Sequence, residues 1–203
     1  IVKELEKETG KVLSLTLLFE HDTVNRVVEY FGVPVVVPRE EPLPLLPAQK
    51  TFYANQAFYP EMACYVFTRL ELRGKISPDL LDRALRILFD RHPMLRVVFT
   101  WKEGKLVQKR GDFLAPKVER YQTSNLDPLE EEVRNRVFDL SKGPLFRVLY
   151  SDLGSDRACL LFNIHHIIAD AWSNQILIRE LLELHGQLQR GEKPQLPPIR
   201  SNF

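Results

Sequence analysis

The 203-residue chain carries 44% hydrophobic residues, enough to bury a core in one large or two small domains. Its 28 Lys and Arg against 27 Asp and Glu leave a net charge of +1 with the signs interspersed, which argues against a nucleic-acid or anionic-membrane surface. No apolar run reaches the ~18 residues that span a bilayer, and IVKELEKETG lacks the basic-then-apolar order of a signal peptide, so a cytoplasmic location is expected.

In chain order, IVKELEKETG places Ile1, Val2 and Leu5 on one face and stops at Gly10, which predicts the last turns of a helix. DTVNRVVEYF predicts a short amphipathic helix through Val24, Val27, Val28 and Phe31, capped by Asp22 or Thr23. Next come Pro34, Pro38, Pro42, Pro44 and Pro47, whose spacing excludes a helix interior or a central strand and marks a proline-stiffened linker. MACYVFTRLELRG predicts a strand ending at Gly74. SPDLLDRALRILFDRH predicts a helix with Ser77 as its cap and Pro78 in its first turn, burying Leu81, Leu85 and Leu88. LRVVFTWKEGKLVQKR reads as two strands turning at Glu103 and Gly104, and LDPLEEEVRNRVFDL as a second helix over residues 126–140. GPLFRVLYSDLGSDRACLLFNIHHI reads as strand, turn and strand; the final long helix runs through Ile176, Ile178, Leu181, Leu182 and Leu188. Alternating strands and helices with two hairpins predict a mixed α/β sandwich rather than a doubly wound sheet. Cys64 and Cys159 each lie in an apolar strand-like run and are expected to be buried free thiols in a reducing compartment.

The last strand is apolar on both alternate sets, Ala158, Leu160, Phe162 and Ile164 on one side and Cys159 and Leu161 on the other, so it should be buried on both faces. His165 and His166 stand at its exit, where polar groups on a rigid scaffold can reach a cleft. Metal ligation is disfavoured, because adjacent residues of an extended chain point to opposite sides and neither cysteine has a CxxC partner. Two readings stay open on the residues alone: histidines satisfied within the core, or acid–base chemistry by one of them, oriented by Asp170.

HHIIADAWS, residues 165–173, resembles the HHxxxDG motif of the condensation domains of nonribosomal peptide synthetases, with Trp172 and Ser173 matching a common continuation. LPAQKTFYANQ (46–56) is similar to the first signature of that family. DRHPMLRVVF (90–99) resembles the second, with Arg91, His92, Leu95 and Arg96 in place and Pro93 where Glu is usual. FDLSKGPLFRVLY (138–150) resembles the segment leading into the histidine strand, and the four stand in the family's order. LSLTLLFEHDTVNRVVEYF (13–31) resembles the C-terminal end of an acyl carrier protein of the polyketide-synthase type.

These resemblances imply a carrier-protein remnant over 1–32, a linker over 33–44, and over 45–203 the N-terminal lobe of a chloramphenicol-acetyltransferase-like two-lobed α/β fold, a mixed sheet with flanking helices. The implied reaction is amide-bond formation between a carrier-tethered acyl or peptidyl thioester and an acceptor amine, in a peptide or hybrid polyketide–peptide synthetase. His166 would be the catalytic residue, taking a proton from the amine or holding the amine and the tetrahedral intermediate. His165 would be structural, and Asp170 would form a buried ion pair with Arg91 or Arg96. Ala171 replaces the motif glycine; were its φ positive it would cost on the order of 1 kcal/mol. The resemblance also implies phosphopantetheine borne by partner carriers, with its serine before Ile1, and no metal. Partners would be upstream donor and downstream acceptor carriers, neighbouring synthetase domains and a C-terminal lobe, without which the chain should be inactive. Alternatives are an ester-forming HHxxxD acyltransferase and a non-catalytic, carrier-binding domain, the latter supported by Ala171.

Overall fold

The computed structural model of the chain describes residues 42–60 and 64–199, so the expected carrier helices in 1–32 and nearly all of the linker lie outside the described residues. The elements run β1 (Leu43–Pro44), α1 (Pro47–Phe58), β2 (Tyr65–Arg73), α2 (Pro78–Arg91), a 3-10 turn (Pro93–Arg96), β3 (Val97–Lys102) and β4 (Lys105–Arg110). They continue through β5 (Glu119–Tyr121), α3 (Asp127–Asn135), β6 (Phe146–Gly154), β7 (Arg157–His165) and α4 (Ala171–Gln189). One sheet has the order β2-β7-β6-β5, antiparallel except for the parallel β5–β6 pair, and a smaller antiparallel sheet has the order β1-β4-β3. This is the mixed α/β arrangement that the alternation of elements predicts.

Strand β7 holds the fold together. It pairs with β2 from Tyr65↔His165 to Arg73↔Arg157 and with β6 on its other edge, starting at Phe146↔Ile164. Its two faces enter separate apolar clusters. Ala158, Leu160, Phe162 and Ile164 join Leu81, Leu85 and Leu88 of α2 and Leu181 and Leu184 of α4. Cys159 and Leu161 join Leu149 of β6 and Leu126, Leu129 and Val133 at and in α3. Helices therefore cover both sides, which is why the strand reads as an unbroken apolar run. Both cysteines are buried and free.

Local chemistry explains the boundaries. Ser77 Oγ accepts the Leu80 N–H at the start of α2, where Pro78 needs no hydrogen-bond partner of its own. Glu103 and Gly104 turn the β3–β4 hairpin with φ of 52° and 73°, and Ser155 and Asp156 turn β6 into β7 with φ of 53° and 54°. Two left-handed residues in a row match the twist of the strands they join.

The structure corrects the sequence expectation at three places. Pro47 opens a 12-residue helix instead of closing the linker, and Pro44 lies in a two-residue edge strand; both are positions that tolerate a missing N–H. Helix α3 stops at Asn135 and not near 140. Beyond it the chain extends, and Arg147 donates to the carbonyls of Arg136 and Val137, taking acceptors that a longer helix would have used. The three-residue β5 is too short to carry a recognisable alternation, and it adds a parallel edge that the sequence does not announce.

Candidate active site

Residue His165 closes β7 and is 1% exposed. Its Nδ1 accepts the Ile167 backbone N–H at 3.0 Å, so the ring proton must sit on Nε2. Nε2 lies 2.7 Å from Gln56 Oε1 and donates to it, while Gln56 Nε2 donates to the Phe138 carbonyl at 2.8 Å. The donor and acceptor senses agree only for the neutral Nε2–H tautomer. Burial, and to a lesser extent the neighbouring His166, push the His165 pKa down to about 4. The Phe138 ring meets it edge-on at 6.0 Å, and the Arg147 guanidinium covers the Phe138 ring at 3.9 Å.

The next residue, His166, lies just beyond the strand, in a turn that the Ile168 N–H closes on the His165 carbonyl at 3.1 Å. The His166 backbone N–H donates to the Cys64 carbonyl at 2.8 Å, and its half-buried ring lies flat on Phe52, with centroids 5.0 Å apart and planes 4° apart. Among the described residues its ring nitrogens make no hydrogen bond. Among the described residues the pair thus separates into one imidazole with both nitrogens engaged and one with neither engaged.

Asp170 departs from the buried ion pair expected of it. It is exposed, and its Oδ1 accepts both the backbone N–H and the hydroxyl of Ser173 at 2.7 Å. Those two Ser173 bonds, the hydroxyl first, hold its carboxyl below the usual range. The physical reason is position: Asp170 is the cap of α4, where unpaired helix N–H groups attract a carboxylate. No ion pair joins it to Arg91 or Arg96 among the described residues. Arg91 instead bonds Glu180, further along α4, through Nε at 3.1 Å and Nη2 at 3.4 Å. His92 Nε2 lies 2.6 Å from the same carboxylate. Arg96 Nε is buried without a hydrogen-bond partner. Ala171 is the first residue of α4 and is not among the left-handed residues, so its replacement of glycine carries no backbone strain.

Side chains that the sequence does not single out complete the site. Gln49 is buried, accepts the Leu46 N–H at 2.9 Å, and donates to the Ile167 carbonyl at 3.3 Å and to Gln108 Oε1 at 3.1 Å. Asn174 Nδ2 donates to Thr68 Oγ1 at 2.8 Å, tying α4 to β2. A signal for α1 exists: Gln49, Phe52 and Gln56 have helical spacing, but it is visible only once residues 47–58 are known to be helical. Among the described residues no three His, Cys, Asp or Glu side chains converge as metal ligands, and no helix is long and apolar enough to cross a membrane.

The mixed sheet flanked by helices recurs in solved structures of condensation domains. The starter condensation domain of rhizomide synthetase RzmA superposes with a TM-score of 0.68 at 20% identity, over 78% of this chain and 40% of that one. The X-domain from teicoplanin biosynthesis superposes with a TM-score of 0.70 at 26% identity, over 83% of this chain and 37% of that one. The condensation-domain family model matches residues 39–203, and the chain belongs to that family. Among curated relatives, a linear gramicidin synthase polypeptide from Brevibacillus parabrevis is 33% identical over 98% of this chain, and surfactin synthase subunit 1 from Bacillus subtilis is 32% identical over all of it. The chain spans only 4% and 6% of the lengths of those two proteins.

The anchored histidine and the helix cap can each be tested. Because the His165 pKa is depressed in the folded state, the unfolded chain takes up a proton below about pH 6.5 while the native ring stays neutral. Stability from this residue is complete above that pH and is lost as the pH falls towards about 4, by about 2 kcal/mol at pH 5. His185, whose Nε2 accepts the Ser77 N–H and whose pKa burial lowers, acts in the same direction. Urea melts at pH 7.5 and pH 5 should show the wild-type loss and a smaller one in His165→Gln; equal losses would contradict the assignment. Asp170→Ala should cost about 1 kcal/mol, as loss of a cap does, rather than the ~3–5 kcal/mol of a broken buried pair. A denaturant melt reads the difference directly.

Proposed function

We propose that the chain is the N-terminal lobe of a condensation domain in a nonribosomal peptide synthetase, and that it acts in amide-bond formation between a carrier-tethered thioester and an acceptor amine. The observation that carries this reading is the division within the histidine pair: His165 is saturated by Ile167 and Gln56, while among the described residues nothing bonds either ring nitrogen of His166. In the reaction the amine nitrogen attacks the thioester carbonyl, a C–N bond forms, the C–S bond breaks and the thiol leaves. An imidazole near neutral pH can take the proton the nitrogen must lose, or hold the amine by a hydrogen bond as the tetrahedral centre forms. His166 is the group in this chain placed to do so, with Phe52 fixing its ring plane.

The phosphopantetheine arm enters as part of the substrate, borne by upstream donor and downstream acceptor carriers. A second lobe would supply the other wall of the site. Residues 1–32 would be the end of the upstream carrier, and 33–44 the linker. Alignment of the gramicidin and surfactin synthase polypeptides over 98% and 100% of this chain supports placing all of it within one such assembly. Such an assembly would work in the cytoplasm. The non-catalytic alternative loses its support, since Ala171 fits its helical position without strain. The ester-forming alternative would use the same residues and differs only in the acceptor, a hydroxyl in place of an amine.

In the intact synthetase, His166→Ala should lower turnover by about 10²–10⁴ while leaving the unfolding midpoint close to wild type. Product formation at the wild-type rate would remove His166 from the mechanism. Ala171→Gly should retain activity and lose less than about 1 kcal/mol of stability, a glycine cost in a helix. Severe loss of turnover in that variant would show that the alanine side chain has a role of its own.

A further inference from the structure

Three side chains on one side of α1 meet three consecutive residues at the end of β7. Gln49, Phe52 and Gln56 fall at i, i+3 and i+7, which aligns them along the helix. Gln56 accepts from His165 Nε2 at 2.7 Å, Phe52 stacks on His166 at 5.0 Å, and Gln49 donates to the Ile167 carbonyl at 3.3 Å. The His165 ring also bonds the Ile167 N–H, so it is a strut that spans His166 from one side to the other. The backbone reinforces this, with His165 N–H on the Leu145 carbonyl at 2.9 Å and His166 N–H on the Cys64 carbonyl at 2.8 Å.

Packing alone does not call for this set. An amide inside a protein is costly unless its groups are paired, and here both ends of Gln56 are paired, one with the ring and one with the Phe138 carbonyl. Its amide orientation is therefore fixed: Oε1 faces the imidazole because Nε2 faces an acceptor. That fixes the ring proton on Nε2 and leaves Nδ1 to receive Ile167.

We propose that Gln56 is a positioning residue for the reacting imidazole: it locks His165 as the neutral Nε2–H tautomer and, with Phe52 one turn before it, sets the position of the His166 ring. The inference rests on the reading of His166 as the reacting group. Loss of the Gln56 acceptor frees the His165 ring to turn, releases Ile167, and loosens the segment that carries His166. Displacement of a catalytic group by about 1 Å can cost ~10²-fold in rate.

The test uses the intact synthetase for rates and the 203-residue chain for spectroscopy. Gln56→Leu should lower kcat about 10–100-fold with the apparent KM for both loaded carriers changed less than about twofold. Gln56→Glu should recover part of that loss, since a carboxylate still accepts from Nε2 but offers nothing to the Phe138 carbonyl. The double variant Gln56→Leu with His166→Ala should be no slower than His166→Ala alone. Imidazole 1H–15N correlations should show the His165 proton on Nε2 in wild type and a mixture of tautomers in Gln56→Leu. An unchanged kcat in Gln56→Leu, or additive losses in the double variant, would overturn the proposal. A retained Nε2–H tautomer in Gln56→Leu overturns the lock whatever the rates are, whereas full activity of His166→Ala overturns the catalytic reading on which the positioning role depends.

Discussion

A single buried imidazole that must remain neutral ties the elements of this lobe to one another. His165 ends the central strand with almost no solvent exposure, and each of its nitrogens has one partner of the required kind: a backbone N–H at Nδ1 and an amide oxygen at Nε2. Burial is the main cause of its depressed pKa and the neighbouring His166 a lesser one; a proton added at Nδ1 would in addition oppose the Ile167 N–H. Through these bonds the strand, helix α1 and the segment around Phe138 become one unit. Removing any of the three would leave a buried polar group unpaired.

The functional consequence lies in the next residue. The strand ends at His165 and a turn carries His166, so the two neighbours occupy different environments. One ring is held by hydrogen bonds, and the other lies against the face of Phe52 with its nitrogens unbonded among the described residues. The acidic residues near the pair are structural in the same sense. Asp170 caps α4 and Glu180 clamps Arg91 and His92, so each orients an element.

Most of the fold is legible because its signals are local. The doubly apolar run of β7, the Ser77–Pro78 helix start and the Glu103–Gly104 turn each report a nearby physical requirement, and each stands where expected. What escapes the sequence is set by distant partners. Helix α1 buries little apolar surface and begins in a proline-rich stretch, so no periodicity announces it, and Gln56 acquires meaning only through His165, 109 positions away. The end of α3 is hidden for the same reason, since Arg147 of β6 takes the carbonyls there. Asp170 shows the converse: a residue expected to form a long-range pair takes the local role that its place before a helix already favours.

The central claim is that the two adjacent histidines divide their work, with His165 kept neutral as an anchor so that His166 alone is available to the substrate. An NMR pH titration that follows the imidazole nitrogens of both rings in this chain tests it most directly. The account predicts that His165 keeps its proton on Nε2 and takes up no second one until the pH approaches about 4. A His165 ring that protonates near pH 6.5, or that carries its proton on Nδ1, would contradict it.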